Sequence, residues 1–350
     1  MSMVEWKKLG ECLDFEQPTQ YLVKSTEYND SYLTPVLTAG QSLLLGYTNE
    51  TDGIYKASKQ NPCIIFDDFT TSFHWIDFDF KVKSSAMKML SPKENYNFRY
   101  IYYAMLGINF VPSGHQRHWI SKYSQIEIPM PSLEEQNRIV DILDTFTASI
   151  GNLKEQIAQR RKQFENYRNQ LLDLEGKEGV EMKKLGEVAN VLRGKRLTKN
   201  MLNDDSPYPV FHGGIEPLGY YSQYNREANT VMVINVGASA GTVGYCDRKF
   251  WSSDGCFCIS RTDLLNNKFL YYYLETKTHY LQSQVRHAGI PTLDNPVVEK
   301  INIPLLALQE QQRIVSILDT FESSIQNLEA QLKEREKQYE YYRNKLLTFE

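Results

Sequence analysis

Two stretches of the chain are polar overall, yet carry apolar or aromatic residues at spacings that alternate between four and three. In the first, the positions are Ile139, Leu143, Phe146, Ile150, Leu153, Ile157, Arg160, Phe164, Tyr167, Leu171 and Leu174. In the second they are Ile314, Leu318, Phe321, Ile325, Leu328, Leu332, Arg335, Tyr339, Tyr342, Leu346 and Phe349. This is the a/d seam of a coiled coil, held over about five heptads. It predicts two helices of roughly 43 residues, each about 65 Å long at 1.5 Å per residue. Ser132 is placed to cap the first, with Glu135 three residues on as the second half of a capping box. The second keeps Glu310 but has Ala307 at the cap, an end expected to fray. Gly176 suits the end of the first helix, and residues 175–181 read as a linker.

The helices belong to a duplication. "EEQNRIVDILDTF" (134–146) returns as "QEQQRIVSILDTF" (309–321), 175 positions later, with ten of thirteen letters unchanged. "EWKKLGE" (5–11) returns as "EMKKLGE" (181–187), "IEIP" (126–129) as "INIP" (301–304), and "YRNQLL" (167–172) as "YRNKLL" (342–347). A self-similar unit of this kind fixes the organisation before any other feature. Four segments follow: a globular head at 1–131, a helix at 132–175, a second head at 176–306 and a second helix at 307–350. Antiparallel pairing of the helices would return the C-terminus to the first head and relate the halves by a pseudo-two-fold axis.

The heads share a skeleton and differ in detail. "PVLTAG" (35–40) matches "PVFHGG" (209–214), each followed by "LGY". "CIIFDDFTTS" (63–72) and "VMVINVGASA" (231–240) are apolar, β-branched runs that break into polar turns, so each reads as a strand entering a loop. "NFRYIYYAML" (97–106) and "NKFLYYYLET" (267–276) read as aromatic helices on a sheet. The expected class is α+β: two globular recognition domains joined by two long antiparallel coiled-coil helices, with an internal repeat. Loops on a rigid scaffold are the usual carriers of recognition. A frame kept alike while its loops diverge suggests one kind of partner docked twice and two different things recognised. Plain duplication followed by drift is the alternative, but drift should blur frame and loops together.

These motifs, ordered and repeated over essentially the whole chain, resemble the specificity (S) subunits of type I restriction–modification enzymes. The resemblance rests on "KKLGE" opening each half, on "PVFHGGI" and "INVGASAGTVGY" in the second head, and on "INIPLLALQEQQRIVSILD" leading into its helix. It implies two target recognition domains, each reading one half of a split double-stranded DNA site, with the helices setting the spacing. It implies two methyltransferase (M) subunits, which use S-adenosylmethionine to methylate adenine, and restriction (R) subunits for cleavage. The chain itself would bind no cofactor and carry no catalytic residue.

Charge alone would not have suggested DNA. The chain has net charge −4, whereas isolated nucleic-acid binders usually show a basic balance. Only residues 176–306 are net positive, at +2. Partner subunits would share the phosphate contacts. The five cysteines (Cys12, Cys63, Cys246, Cys256, Cys258) form no disulfide framework or zinc spacing and are expected as buried thiols. No apolar run is long enough to span a membrane, and the opening segment lacks a signal-peptide core. The cytoplasm is therefore expected, with no membrane partner.

Catalytic motifs are weak. "NPCI" (61–64) lacks the second proline and the aromatic residue of an adenine methyltransferase. "GASAGTVG" (237–244) lacks the Lys-Ser/Thr of a phosphate loop. Asp67, Asp79 and Lys81 have the D…DxK order of a Mg²⁺ nuclease, which makes such an enzyme with fused recognition domains the competing reading. A stalk that binds protein and never DNA is a third. His115 and His118 lack a third metal ligand nearby.

Loop residues supply the candidate DNA contacts. In the first head they are Thr38, Gln41, Asp67, Asp68, Thr70, Gln116, Arg117 and His118. Asp67 and Asp68 suit a cytosine amino group, glutamine suits adenine and arginine suits guanine. In the second head the basic run Arg193, Lys195, Arg196 and Lys199 suits phosphates. His212 matches Thr38, Ser239 and Thr242 flank a glycine turn, and Arg286 and His287 parallel the first head's late loop. For Gln116, Arg117 and His118 a solvated polar loop is the alternative, and for the basic run a solvated face.

Overall fold

A computed structural model describes residues 4–38, 40, 42–112, 114 and 116–349. The chain forms two compact units. One comprises Met1–Leu153 with Gln331–Glu350, and the other is the continuous segment Lys154–Ala330. The C-terminal segment thus belongs to the first unit.

Both units repeat one topology. In the first, the strand Glu5–Lys8 pairs antiparallel with Glu127–Met130. In the second, Glu181–Lys184 pairs with Asn302–Leu305. The repeated motifs "EWKKLGE"/"EMKKLGE" and "IEIP"/"INIP" therefore supply paired strands. Beside them lies a four-stranded sheet in the order Leu13–Glu16, Met87–Pro92, Cys63–Asp67, Phe73–Ile76. Its counterpart runs Val191–Arg193, Cys256–Ile259, Thr230–Ile234, Val243–Cys246. A three-stranded sheet completes each head. Thr34–Leu37 pairs antiparallel with Leu44–Thr48 and parallel with Lys81–Val82. Tyr208–Phe211 does the same with Gly219–Tyr221 and Trp251–Ser252.

The aromatic helices are Phe98–Leu106 and Asn267–Thr276, capped by the side chains of Asn97 and Asn266. Strand residues split between two cores. Ile64 and Phe66 face the aromatic helix, whereas Cys63 and Ile65 face the three-stranded sheet. Likewise Phe257 and Ile259 face the helix side, while Cys256 and Cys258 pack with Cys246, Phe211 and Phe250. Alternation along a pleated strand produces this division. All five cysteines are buried and free, and burial pushes the Cys63 thiol up to about 12.

The long helices run Leu133–Leu172 and Leu308–Leu347, 40 residues each, or about 60 Å at 1.5 Å per residue. They are antiparallel. In the first unit, Phe146 near the start of one helix stacks on Tyr342 near the end of the other, at 5.3 Å. In the second, Tyr167 stacks on Phe321 at 5.2 Å. The two seam arginines also cross over the same rings: Arg335 lies on Phe146 and Arg160 on Phe321.

The seam has a second duty. Ile139 and Leu143 are fully buried in the first head's core, and Ile314 and Leu318 in the second's. Each helix therefore begins as a core element of its own head. Further along, Ile157 and Ile325 are buried, whereas Phe146, Ile150, Leu153, Phe321, Leu328 and Leu332 are half-buried, as two helices alone can cover only one side of each other.

The caps depart from expectation. Ser132 Oγ accepts from the Glu135 amide at 3.3 Å, but Glu135 turns away to a bidentate pair with Arg138 at 2.6 and 2.7 Å. That hydrogen bond holds the Glu135 carboxyl below its ordinary value. The second helix, expected to fray at Ala307, begins at the matching residue. The Ala307 carbonyl accepts from the Glu310 and Gln311 amides at 2.9 and 3.1 Å. A buried glutamine secures each start. Gln136 donates to the Pro131 carbonyl and accepts from the Asn97 amide. Gln311 donates to the Leu264 and Leu306 carbonyls and accepts from the Asn266 amide. Each glutamine thereby joins the start of a long helix to the cap of an aromatic one. Gly176, with φ +75°, lies in a turn beyond the helix end. Among the described residues no helix is long and apolar enough to cross a membrane.

Candidate nucleic-acid interface

In the second head, the basic run is held to a rigid edge. The Lys195 amide donates to the Ser252 carbonyl at 2.9 Å, and the Lys195 carbonyl accepts from Trp251 Nε1 at 2.8 Å. The Leu197 amide donates to Ser253 Oγ at 3.4 Å. Gly194 permits this approach, because a Cβ there would lie 1.9 Å from the Ser253 carbonyl oxygen. The side chains of Arg193, Lys195, Arg196 and Lys199 stay exposed. None forms an ion pair with an acid among the described residues, so all four cations remain available to phosphate.

The same Ser252–Gly255 stretch meets the other loops. His212 is 40% exposed, accepts at Nδ1 from the Gly255 amide at 3.2 Å and lies 3.3 Å from Asp254 Oδ1. The Gly255 carbonyl accepts from the Gly213 and Asn235 amides. Ser239 and Thr242 close the tight turn between two strands, joined by the Thr242 amide to the Ser239 carbonyl at 3.0 Å. Gly241 at that turn has φ +88°, and a Cβ there would sit 2.7 Å from the Gln282 amide nitrogen. The turn therefore rests directly on the short helix Thr278–Ser283. Arg286 and His287 are exposed, but the Arg286 guanidinium already pairs with Asp294 at 2.8 Å. Asp254 and Asn235 also sit at this convergence. Spacing gave no signal for either, because four separate chain segments meet there.

In the first head, the Thr38 hydroxyl donates to the Ser42 carbonyl at 2.6 Å. The turn is tied to the strand Phe73–Ile76 by His74 Nε2, 3.1 Å from the Gly40 carbonyl oxygen. Gln41 lies outside the described residues, as does His115. Asp67 accepts from the Phe69 and Thr70 amides at 2.8 Å each, which shapes the turn that presents Thr70. Gln116 and Arg117 are exposed. Lys83 joins them: its side chain is exposed and its amide donates to the Leu37 carbonyl at 3.1 Å. Sequence reading passed over it because the parallel pairing that brings it beside Thr38 is long-range.

Two expected contacts are corrected. Asp68 is 1% exposed and His118 is fully buried, so neither side chain can reach a base. Asp68 Oδ2 pairs with Lys88 Nζ at 3.1 Å, and its Oδ1 accepts from the Trp119 amide at 2.8 Å. The His118 ring packs edge-on to Phe110.

The residues of the nuclease reading are separately engaged. Lys81 is 1% exposed, pairs with Glu50 at 3.1 Å and donates to the carbonyls of Asp52 and Gly53. Burial acts to raise the Glu50 carboxyl, but the Ser25 and Lys24 amides and the Lys81 ammonium outweigh it and hold it low. Asp79 pairs with Lys56 at 2.6 Å, and Asp67 serves its own turn.

Comparison with known proteins bears on the chain as a whole. Residues 1–160 and 177–336 each match the type I restriction modification DNA specificity domain. The type I restriction enzyme EcoR124I/EcoR124II specificity subunit of Escherichia coli is 36% identical over 392 aligned positions, covering 99% of this chain and 94% of that one. A putative type I restriction enzyme specificity subunit of Haemophilus influenzae is 28% identical, over 99% and 96% of the two chains. The crystal structure of a type I restriction–modification system S subunit from M. genitalium shares the fold. Its TM-score is 0.75 over 100% of this chain and 98% of that one, at 17% identity. Nothing supports a nuclease. The chain belongs to the specificity subunits of type I restriction–modification enzymes, as a non-catalytic subunit with two recognition domains.

Proposed function

We propose that the chain reads a two-part double-stranded DNA site in the cytoplasm, one half with each head. The long helices set the spacing and dock two methyltransferase subunits that use S-adenosylmethionine, and restriction subunits join the assembly. One observation carries the reading: the scaffold is built twice, while the residues at matching loop positions differ in chemistry. Thr38 stands at the end of its strand where His212 stands in the other head. A type I system solved as an assembly has a chain of related fold, with a TM-score of 0.55, which supports partner subunits here.

The test is the adenine methylation pattern of the source cell's genome, with and without this gene. The reading predicts loss of N6-methyladenine at one motif of two short halves around a fixed spacer. Persistence of every such motif would reject it.

The basic run makes a separate prediction. Changing Arg193, Lys195, Arg196 and Lys199 together to alanine should weaken binding of the assembled complex to all sequences alike. Each lost phosphate contact should reduce the slope of log affinity against log salt by about 0.9. A fluorescence anisotropy titration between about 50 and 200 mM salt reads this. An unchanged slope would remove these residues from the interface.

A further inference from the structure

One place in each head ties three chain segments together, and the two heads fill it differently. It is the residue that follows the central strand. The Asp68 amide donates to the Ala86 carbonyl at 2.9 Å, and its carbonyl accepts from the His118 amide at 2.8 Å. In the second head, the Asn235 amide donates to the Gly255 carbonyl at 3.2 Å, and its carbonyl accepts from the Leu293 amide at 2.9 Å. The backbone junction is thus the same twice, and the side chains are not.

Asp68 uses its carboxylate to add two further ties. Oδ1 accepts from the Trp119 amide at 2.8 Å, and Oδ2 meets Lys88, which also donates to Gln17 Oε1 at 3.1 Å. Asp68 and Lys88 side chains are each 1% exposed. The register shows what replaces Lys88 in the second head. Lys88 lies opposite Phe66, and at the matching position Phe257 lies opposite Val233. No lysine answers Asn235, and its Oδ1 is buried without a partner among the described residues.

The position of this carboxylate in the chain gives it a role. Phe69 and Thr70 follow it directly and are exposed. Gln116 and Arg117 come directly before the anchored His118–Trp119 pair and are exposed. The Trp119 ring is wedged against Phe66 and Tyr123, so its amide cannot shift without disturbing the core. The buried carboxylate therefore adds a side-chain tie, beside the backbone one to His118, between two loops that carry candidate base contacts. Replacing a buried ion pair by apolar groups is often neutral for stability, so such a pair is weak evidence of a stabilising purpose.

We propose that Asp68 is a positioning residue of the first head: through the Trp119 amide it fixes the loops at 69–72 and 116–117 against each other, and so determines the half-site this head reads. Lys88 neutralises the buried carboxylate that does this. The second head reads its half without such a device. The proposal rests on the two-part reading given above.

Two double variants test it without leaving a charge stranded in the core. Asp68→Asn/Lys88→Met keeps an acceptor for the Trp119 amide. Asp68→Ala/Lys88→Met removes it. Each is expressed with the native methyltransferase subunits in cells lacking the wild-type gene, and the methylated motif is read by genome-wide sequencing. Thermal unfolding of each purified complex accompanies the profile. With Asn/Met, both halves of the motif should stay as in the wild type. With Ala/Met, one half should accept mismatches on the order of tenfold more readily, while the other half and the spacer stay unchanged. The same motif from both variants, whether intact or relaxed, would overturn the role. Equal relaxation of both halves with Ala/Met would overturn it too. A wild-type profile with no two-part motif would reject the two-part reading itself, and this role with it.

Discussion

Removing residues 331–350 is expected to abolish the cooperative unfolding of the first unit and leave the second intact. Tyr339, Leu346, Leu347 and Phe349 pack on the first head's core, and Tyr342 and Arg335 cover the ring of Phe146. At about 1.5–3 kcal/mol for a fully buried side chain of this size, and less for these half-buried ones, the loss sums to roughly 5 kcal/mol. That matches the whole stability of many domains, about 5–15 kcal/mol. Amide hydrogen exchange is the direct readout. Protection in the helix Phe98–Leu106 should collapse, while protection in Asn267–Thr276 persists. Unchanged protection in the first helix would show that the C-terminal segment is not part of that core.

The second large effect is local. Asp68→Ala alone should destabilise the first unit by about 3–5 kcal/mol, because it leaves the Lys88 ammonium buried with no carboxylate, held only by neutral groups such as Gln17 and the Phe15 ring among the described residues. Adding Lys88→Met should recover most of that loss. Denaturant unfolding of the single and double variants measures the difference. If the single variant loses less than about 1 kcal/mol, the buried pair is more hydrated than its 3.1 Å geometry and burial imply.

The first of these effects lies where the sequence was readable, and the second where it was not. Heptad spacing located both long helices, starting each one residue early and ending each three residues late, because a periodic apolar seam has no other stable use at that length. The duplication gave the repeated topology, and the aromatic runs gave the helices behind each sheet. Burial at the loop bases was not legible. In "FDDF" nothing distinguishes Asp67, which shapes an exposed turn, from Asp68, which is sealed from water. The difference comes from Lys88 and Trp119, brought in by strand pairing at long range. His118 looked like a surface donor for the same reason. Gln136 and Gln311 appeared as ordinary polar letters beside the seam, although each is almost wholly buried. Their repetition was visible, but only the neighbouring carbonyls explain it. The basic run was visible as a cluster of charge. Its rigidity, which depends on Gly194 and the strand Trp251–Ser252, was not.

The composition of the first unit has a consequence for biosynthesis. Its core is assembled from both ends of the chain, whereas the second unit is one uninterrupted segment. A ribosome delivers the N-terminus first, and small domains commonly close in that order. Here the earlier head has to wait. At about 5–20 residues per second, the stretch from Lys154 to the C-terminus takes roughly 10–40 s to make. During that interval, the surfaces meant for Tyr339, Leu346 and Phe349 stand uncovered. The uninterrupted unit is expected to become protease-resistant first as both fold, with the need for chaperone protection falling on the head translated first.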